Sequence, residues 1–218
     1  MDQITAETGY INLLIANSGV TGPLQNDLAN SPEKYPDVAS VRALLWDNHD
    51  ETSWNQALDI NITGVYLTTI AFLTLLDEGN KKKNVTQTSQ VIAVSSIAGF
   101  LRTVTAGFAY SATKSGVTHM MKVLASLLVN YGIRVNVIAP GIFPSQMTGG
   151  PVIDEKNSSS AAFVDRKIPK KMIPLERAGR DEEIAGSILW LAGEGGGYTS
   201  GNVLIVDGGR LSVYPAAY

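Results

Sequence analysis

Residues 133–141 read IRVNVIAPG, and the fold is argued outward from them. From Ile133 to Ala139 the run is mostly apolar and rich in β-branched residues, and Pro140 with Gly141 stops it. A short apolar run closed by turn residues predicts a strand buried on both faces. Three further runs have the same character: INLLIA at 11–16, VIAV at 91–94 and VLIV at 203–206. Helical patterns lie between them. Over 51–77, Trp54, Leu58, Ile62, Val65, Phe72 and Leu76 recur at three- and four-residue steps, which predicts a helix with one buried stripe. Over 108–131 the same spacing joins Val117, Met121, Leu124, Leu128 and Tyr131. Asp181 reads as the N-cap of a third helix, with Glu182 and Glu183 in its first turn and Gly193 near its end. Strands alternating with helices predict an α/β fold with a parallel sheet covered on both faces.

Each predicted strand runs into small or polar residues: Asn17, Ser18 and Gly19; Ser95 and Ser96; Pro140 and Gly141; Asp207, Gly208 and Gly209. Ligands of open parallel sheets bind outside the carboxyl ends of the strands, so a site is expected there. The stretches 20–50 and 142–180 read as polar connectors, and Lys81–Lys83 as a solvated loop after the first helix. Asp207 with its two glycines reads as a structural turn. His49 reads as a loop residue and His119 as solvent-facing or locally packed, and neither has partners at metal-ligand spacing, so no metal is expected.

The chain has 218 residues, enough for one sizeable core, and 1–218 is read as a single domain. Charged residues make up 17%, below the roughly 25% of ordinary soluble domains. The net charge of −3 supplies no basic field for a phosphate backbone, which argues against a nucleic-acid partner. Cysteine is absent, so disulfide and thiolate chemistry are excluded. The opening MDQITAETGY lacks the basic start and apolar run of a signal peptide, and no apolar stretch nears the ~18 residues of a membrane span. A cytoplasmic protein without a membrane partner is expected.

The chemistry is concentrated in FAYSATKSGVT at 108–118. Tyr110 and Lys114 stand at i and i+4 and share a helix face with Val117, Met121 and Leu124, so they point toward packed structure. Small neighbours leave room for another molecule. The helix start can approach Ser95 and Ser96, and Asn61 falls on the buried stripe of the first helix, where a polar side chain needs a partner.

With ANSG at 16–19, Asn61 in NITG, SSIAG at 95–99, YSATK at 110–114, NVIAPG at 136–141 and VDGG at 206–209, the chain resembles the short-chain dehydrogenases/reductases. These are nicotinamide-dependent oxidoreductases on the Rossmann fold. The motifs keep the family's order across nearly the whole chain. The resemblance implies a catalytic group of Asn61, Ser96, Tyr110 and Lys114. It implies cofactor contacts at Asn17 and Gly19 on the adenosine side, at Pro140, Gly141 and Ile142 by the nicotinamide, at Ser145 near the phosphates, and at Tyr110 and Lys114 themselves.

Hydride delivery to a ketone leaves negative charge on oxygen, which calls for a proton donor and a hydrogen bond. A phenol with a pKa near ~10 is a reluctant acid at neutral pH, and a nearby cation lowers such a value by ~1 to 3 units. Lys114 is therefore expected to acidify Tyr110. By resemblance it also binds the nicotinamide ribose, Ser96 holds the substrate oxygen, and Asn61 anchors a water linking the lysine to solvent.

The family's opening strand, Gly-rich turn and next strands have no counterpart ahead of residue 11, so the expected domain is Rossmann-like but N-terminally truncated, with about four strands. The loop region 142–180, with FPSQMT and PLERAG, is similar to 3-oxoacyl reductases of the rhamnolipid type. That implies reduction of a 3-oxoacyl thioester with NADP or NAD, NADP being favoured by analogy. The alternatives are a sugar or polyol dehydrogenase and a catalytically inactive fragment. The resemblance also implies a homodimer or homotetramer paired through the two long helices.

Overall fold

The computed structural model describes residues 2–25, 27–47, 49–145, 147–148 and 167–217. Part of the 142–180 loop region, including Ser158–Ser160, lies outside them. Four strands form one parallel sheet in the order β1 (Leu13–Ala16), β2 (Gln90–Val94), β3 (Arg134–Pro140) and β4 (Val203–Val206). Leu13 pairs with Gln90, Gln90 with Arg134 and Val137 with Val203. The central β2 and β3 are buried almost throughout, as their unbroken apolar runs require, whereas the flanking β1 and β4 are partly open. β1 begins later than the apolar run at 11–16 because the Ile11 amide donates to the Leu75 carbonyl, 3.0 Å, instead of joining the ladder.

Among the described residues the helices are α1 (Asp2–Glu7), α2 (Asp27–Asn30), α3 (Val38–Asp47), α4 (Glu51–Leu58), α5 (Val65–Ala71), α6 (Leu73–Lys82), α7 (Phe108–Leu128) and α8 (Asp181–Ala192). One sheet face presents Ala16, Val91, Ala93, Val135 and Val137 to Val65, Leu76, Val117, Met121, Leu124 and Leu128 of α5 to α7. The other face packs Ile92 and Ile138 against Leu191, Ile184 and Ile188 of α8. Each large apolar side chain fully buried here contributes about 1.5–3 kcal/mol. On that second face Ile15 of β1 remains 40% exposed.

The helix expected over 51–77 is broken twice. Asp59–Gly64 forms a π-helical turn between α4 and α5, and a 44° bend separates Ala71 from Leu73. The wider turn resets the buried face to Ala57, Asn61, Val65 and Thr69. Leu58, expected on the buried stripe, is 37% exposed for this reason. The last helix of the group also runs on to Lys82, so Lys81 and Lys82 are helical and not in a loop. Lys81 pairs with Asp77 and Glu78 one turn back, and its charge suits the helix C-terminus.

In α7, Val117, Met121, Leu124 and Leu128 are buried as the spacing predicts, but Tyr131 lies past the helix end and is exposed. α8 starts at Asp181, and Arg180 takes the N-cap position assigned above to Asp181. The Glu183 carboxylate accepts from the Arg180 amide, 2.8 Å, and pairs with Arg177, which fixes the boundary one residue earlier. The 20–50 stretch holds α3, whose start is capped by Asp37 accepting from the Ser40 amide, 2.8 Å.

Candidate active site

The carboxyl ends of β1, β2 and β3 and the first turns of α7 converge on one region. β2 ends at Val94, and the Ser95 amide donates to the Ile138 carbonyl, 2.8 Å. The Ser95 and Thr118 hydroxyls lie 2.6 Å apart, and both reach the Lys114 carbonyl oxygen, at 2.9 and 2.7 Å. Ser95 therefore pins α7 to the end of β2. The next residue turns the other way: the extended Ser96 accepts from the Ala98 amide, 3.1 Å, and hydrogen-bonds the Tyr110 hydroxyl. Of the two serines, Ser96 is the one facing the tyrosine.

α7 is set in place at its start by the Gln25 side chain, whose Oε1 accepts from the Phe108 amide, 3.1 Å. Gly107, at φ 95°, makes this possible: it adopts a conformation that L side chains rarely accept, and a Cβ there would lie 2.9 Å from Gln25 Oε1.

Lys114 is 4% exposed, and its Nζ donates to the Val94 carbonyl oxygen, 2.9 Å, while lying 5.6 Å from the centre of the Tyr110 ring. Burial lowers its pKa to about 8. Tyr110 behaves differently from the expectation that Lys114 acidifies it. In the protein without ligands, burial raises the phenol above its ordinary value, and the hydrogen bond with Ser96 opposes this. The ammonium lies 5.6 Å from the ring centre and bonds the Val94 carbonyl.

Asn61 stands in the π-helical turn and is 1% exposed. Its Oδ1 accepts from the Val20 amide, 2.9 Å, and its Nδ2 donates to the Val20 carbonyl, 2.8 Å, and to Thr113 Oγ1, 2.9 Å. The turn after β1 is thereby tied to the helix carrying Tyr110. Gly19 sits in that turn, and a Cβ on it would come within 3.2 Å of Asn61 Oδ1 and 3.4 Å of Lys114 Nζ.

The remaining cofactor candidates line the same edge. Asn17 is exposed directly beyond β1, and Pro140 closes β3. The Gly141 amide donates to the Val206 carbonyl, 2.8 Å, and its Cα is so close to Asp207 that a Cβ would clash at 2.8 Å. The Ile142 carbonyl accepts from the Gly179 amide, 2.9 Å. Ser145 is exposed, and its Oγ accepts from the Thr148 amide, 3.2 Å. Ile142 and Phe143 line a cavity of about 120 Å³ with Ile173, Leu175 and Asp207. The Asp207 carboxylate holds the Gly209 and Leu211 amides at 2.8 and 2.7 Å, which makes it the structural turn read from the sequence. His49 and His119 are both exposed.

Contributors not singled out in the sequence include Thr113, the Val94 carbonyl and the Val20 backbone, besides Gln25, Gly107 and Thr118. Thr113 lies inside YSATK, where a hydroxyl next to the lysine was the available signal. The two backbone groups carry no side-chain signature.

The residues around Lys114 fit a nicotinamide nucleotide on the chemistry of their donors. A buried ammonium with one carbonyl acceptor retains donors for a ribose, and the glycine turn leaves space beside it. Among the described residues no single helix is long and apolar enough to cross a membrane.

A family model described as enoyl-(acyl carrier protein) reductase matches residues 1–210. The short-chain dehydrogenase/reductase PhomF of Diaporthe leptostromiformis is 44% identical over 215 residues, covering 99% of this chain and 70% of that protein. The rhamnolipids biosynthesis 3-oxoacyl-acyl-carrier-protein reductase of Pseudomonas aeruginosa is 34% identical over 167 residues, covering 75% of this chain and 59% of that protein. The structure of a Pseudomonas aeruginosa RhlG/NADP active-site complex superposes with a TM-score of 0.73 at 28% identity, over 96% of this chain and 70% of that one. With its parallel sheet, the clustered motif residues and a family match over most of its length, the chain belongs to the short-chain dehydrogenase/reductase family of oxidoreductases.

Proposed function

We propose that the protein interconverts a ketone and a secondary alcohol with NADP or NAD, with Tyr110 as the proton donor and acceptor. The observation that carries this reading is the contact of Tyr110 with Ser96 beside the buried Lys114 ammonium. The nicotinamide, when bound, supplies or accepts the hydride. Tyr110 gives its hydroxyl proton to the oxygen that gains charge, and Ser96 donates a hydrogen bond to the same oxygen. Lys114 holds the ribose and carries positive charge close to the phenol ring. Asn61 keeps the turn bearing Gly19 against α7 and anchors the water that refills the lysine. Asn17, Gly19, Pro140, Gly141, Ile142 and Ser145 hold the rest of the nucleotide.

For the substrate we favour a 3-oxoacyl thioester reduced with NADPH. Support comes from the similarity to the rhamnolipid reductase. Residues 1–218 act as one domain. Initial rates on an acetoacetyl thioester and on a keto sugar, each with NADPH and NADH, test the choice. A faster keto-sugar reaction would replace the thioester assignment. We also propose a homodimer or homotetramer paired through the long helices, because Leu67, Val123 and Leu127 leave more than half of each side chain exposed there.

A further inference from the structure

We propose that Thr113 is a positioning residue for the reaction, acting through Asn61 and the Tyr110 backbone; the proposal rests on the oxidoreductase reading above. The Thr113 side chain is completely buried and touches no open part of the site. Its hydroxyl has one hydrogen, donated to the Tyr110 carbonyl at 3.0 Å, and a lone pair that accepts from Asn61 Nδ2 at 2.9 Å. One hydroxyl thus joins the π-helical turn to the first turn of α7.

α7 has attachments besides this link. The helix is already pinned at Lys114 by Ser95 and capped at Phe108 by Gln25. What the link adds is registration between Asn61 and the Tyr110–Lys114 pair. Asn61 Oδ1 and Lys114 Nζ lie 3.2 and 3.4 Å from the point a Cβ on Gly19 would take, so the carboxamide oxygen and the ammonium border the same small space. Val20 holds the carboxamide from one side only, with both bonds to the same backbone unit. Without Thr113 Oγ1, one Nδ2 hydrogen in a dry site loses its acceptor, and the carboxamide turns toward another. Its oxygen then leaves the ammonium, which destabilises the charged form of Lys114. Small displacements of this kind reduce turnover by one to two orders of magnitude when they reach reacting groups.

The test compares wild type, Thr113→Val, which keeps the shape and removes the hydroxyl, and Thr113→Ser, which restores the hydroxyl. Turnover is measured with NADPH and an acetoacetyl thioester, and the Lys114 ammonium is titrated in ligand-free protein by lysine-selective NMR, assigned with Lys114→Met. Thr113→Val is expected to lose about tenfold in kcat with KM for NADPH unchanged. Its lysine midpoint moves below the wild-type value of about 8, and Thr113→Ser returns both quantities. Burial is the cause of that value in wild type, and the groups facing Nζ are the Val94 carbonyl, the Tyr110 phenol and the Asn61 carboxamide. A Thr113→Val protein with wild-type midpoint and wild-type kcat would overturn the proposal, even if it melts earlier, because a purely structural role lowers stability alone. Full turnover in Tyr110→Phe would overturn the oxidoreductase reading instead, and the titration then decides the Thr113 link by itself.

Discussion

Lys114 Nζ and the Val94 carbonyl oxygen are 2.9 Å apart, in a position where the ammonium is almost fully buried and faces a backbone dipole instead of a carboxylate. Burial holds the lysine at about 8, below its ordinary 10.5. Between these two values the unfolded chain binds more protons than the folded one, so stability rises with pH over about 8 to 10.5. Lys114→Met removes this dependence. Urea denaturation at pH 7 and at pH 9.5 is expected to show wild type gaining on the variant at the higher pH. A constant difference between the two proteins would contradict the burial of an uncompensated charge.

In the proposed function Gly19 leaves the nucleotide room beside Lys114. In Gly19→Ala the new methyl group meets Asn61 Oδ1 at 3.2 Å and Lys114 Nζ at 3.4 Å, so it takes the space beside the lysine that the proposed function gives to a ribose. NADPH affinity by fluorescence titration is expected to fall about tenfold or more, equal to about 1.4 kcal/mol, with the melting temperature little changed. Unchanged affinity would place the nucleotide elsewhere.

Arg134 fastens the opposite end of the sheet. Its buried guanidinium donates to the carbonyls of Thr88, Leu191, Gly196 and Thr199 and to Gln90 Oε1. Arg134→Met leaves the Thr88 carbonyl without its donor and takes one of two donors from Gln90 Oε1 and from the Leu191, Gly196 and Thr199 carbonyls, and the loss in unfolding free energy is expected to be about 3 kcal/mol. A denaturation midpoint close to wild type would show that the acceptors find other partners.

Glu183 joins α8 to the loop before it, accepting from the Arg180 amide and pairing with Arg177. These bonds lower its carboxyl to about 2, from 4.5. Stability from this group is complete above pH 4.5 and is lost as pH falls toward 2. The side chain is partly exposed and screened, so Glu183→Gln is expected to cost only about 1 kcal/mol at pH 7. That cost should shrink at pH 3 in the same denaturation assay.

The parallel sheet was legible because β2 and β3 are buried on both faces, and burial of that kind writes an unbroken apolar run into the sequence. α3 was missed although Val38, Val41 and Leu45 stand at helical spacing in it, because the Pro, Asn and Asp residues around it made 20–50 read as a connector and none of its residues is buried. The π-helical turn escaped for another reason: 3.6-residue periodicity cannot anticipate a wider turn, and Leu58 was assigned inward on that account. In the site, Tyr110, Ser96, Lys114 and Asn61 were readable as side chains in ordered motifs. The direction of the Tyr110 shift was not, because it depends on how deeply the phenol is buried and on where Nζ lies relative to its oxygen.

The most direct measurement is single-turnover reduction of an acetoacetyl thioester by NADPH in wild type and Tyr110→Phe, with folding of both checked by circular dichroism. The account predicts that loss of the phenolic proton slows the chemical step by about 10²-fold to 10⁴-fold while NADPH still binds. A Tyr110→Phe protein that reduces the thioester at the wild-type rate would contradict it.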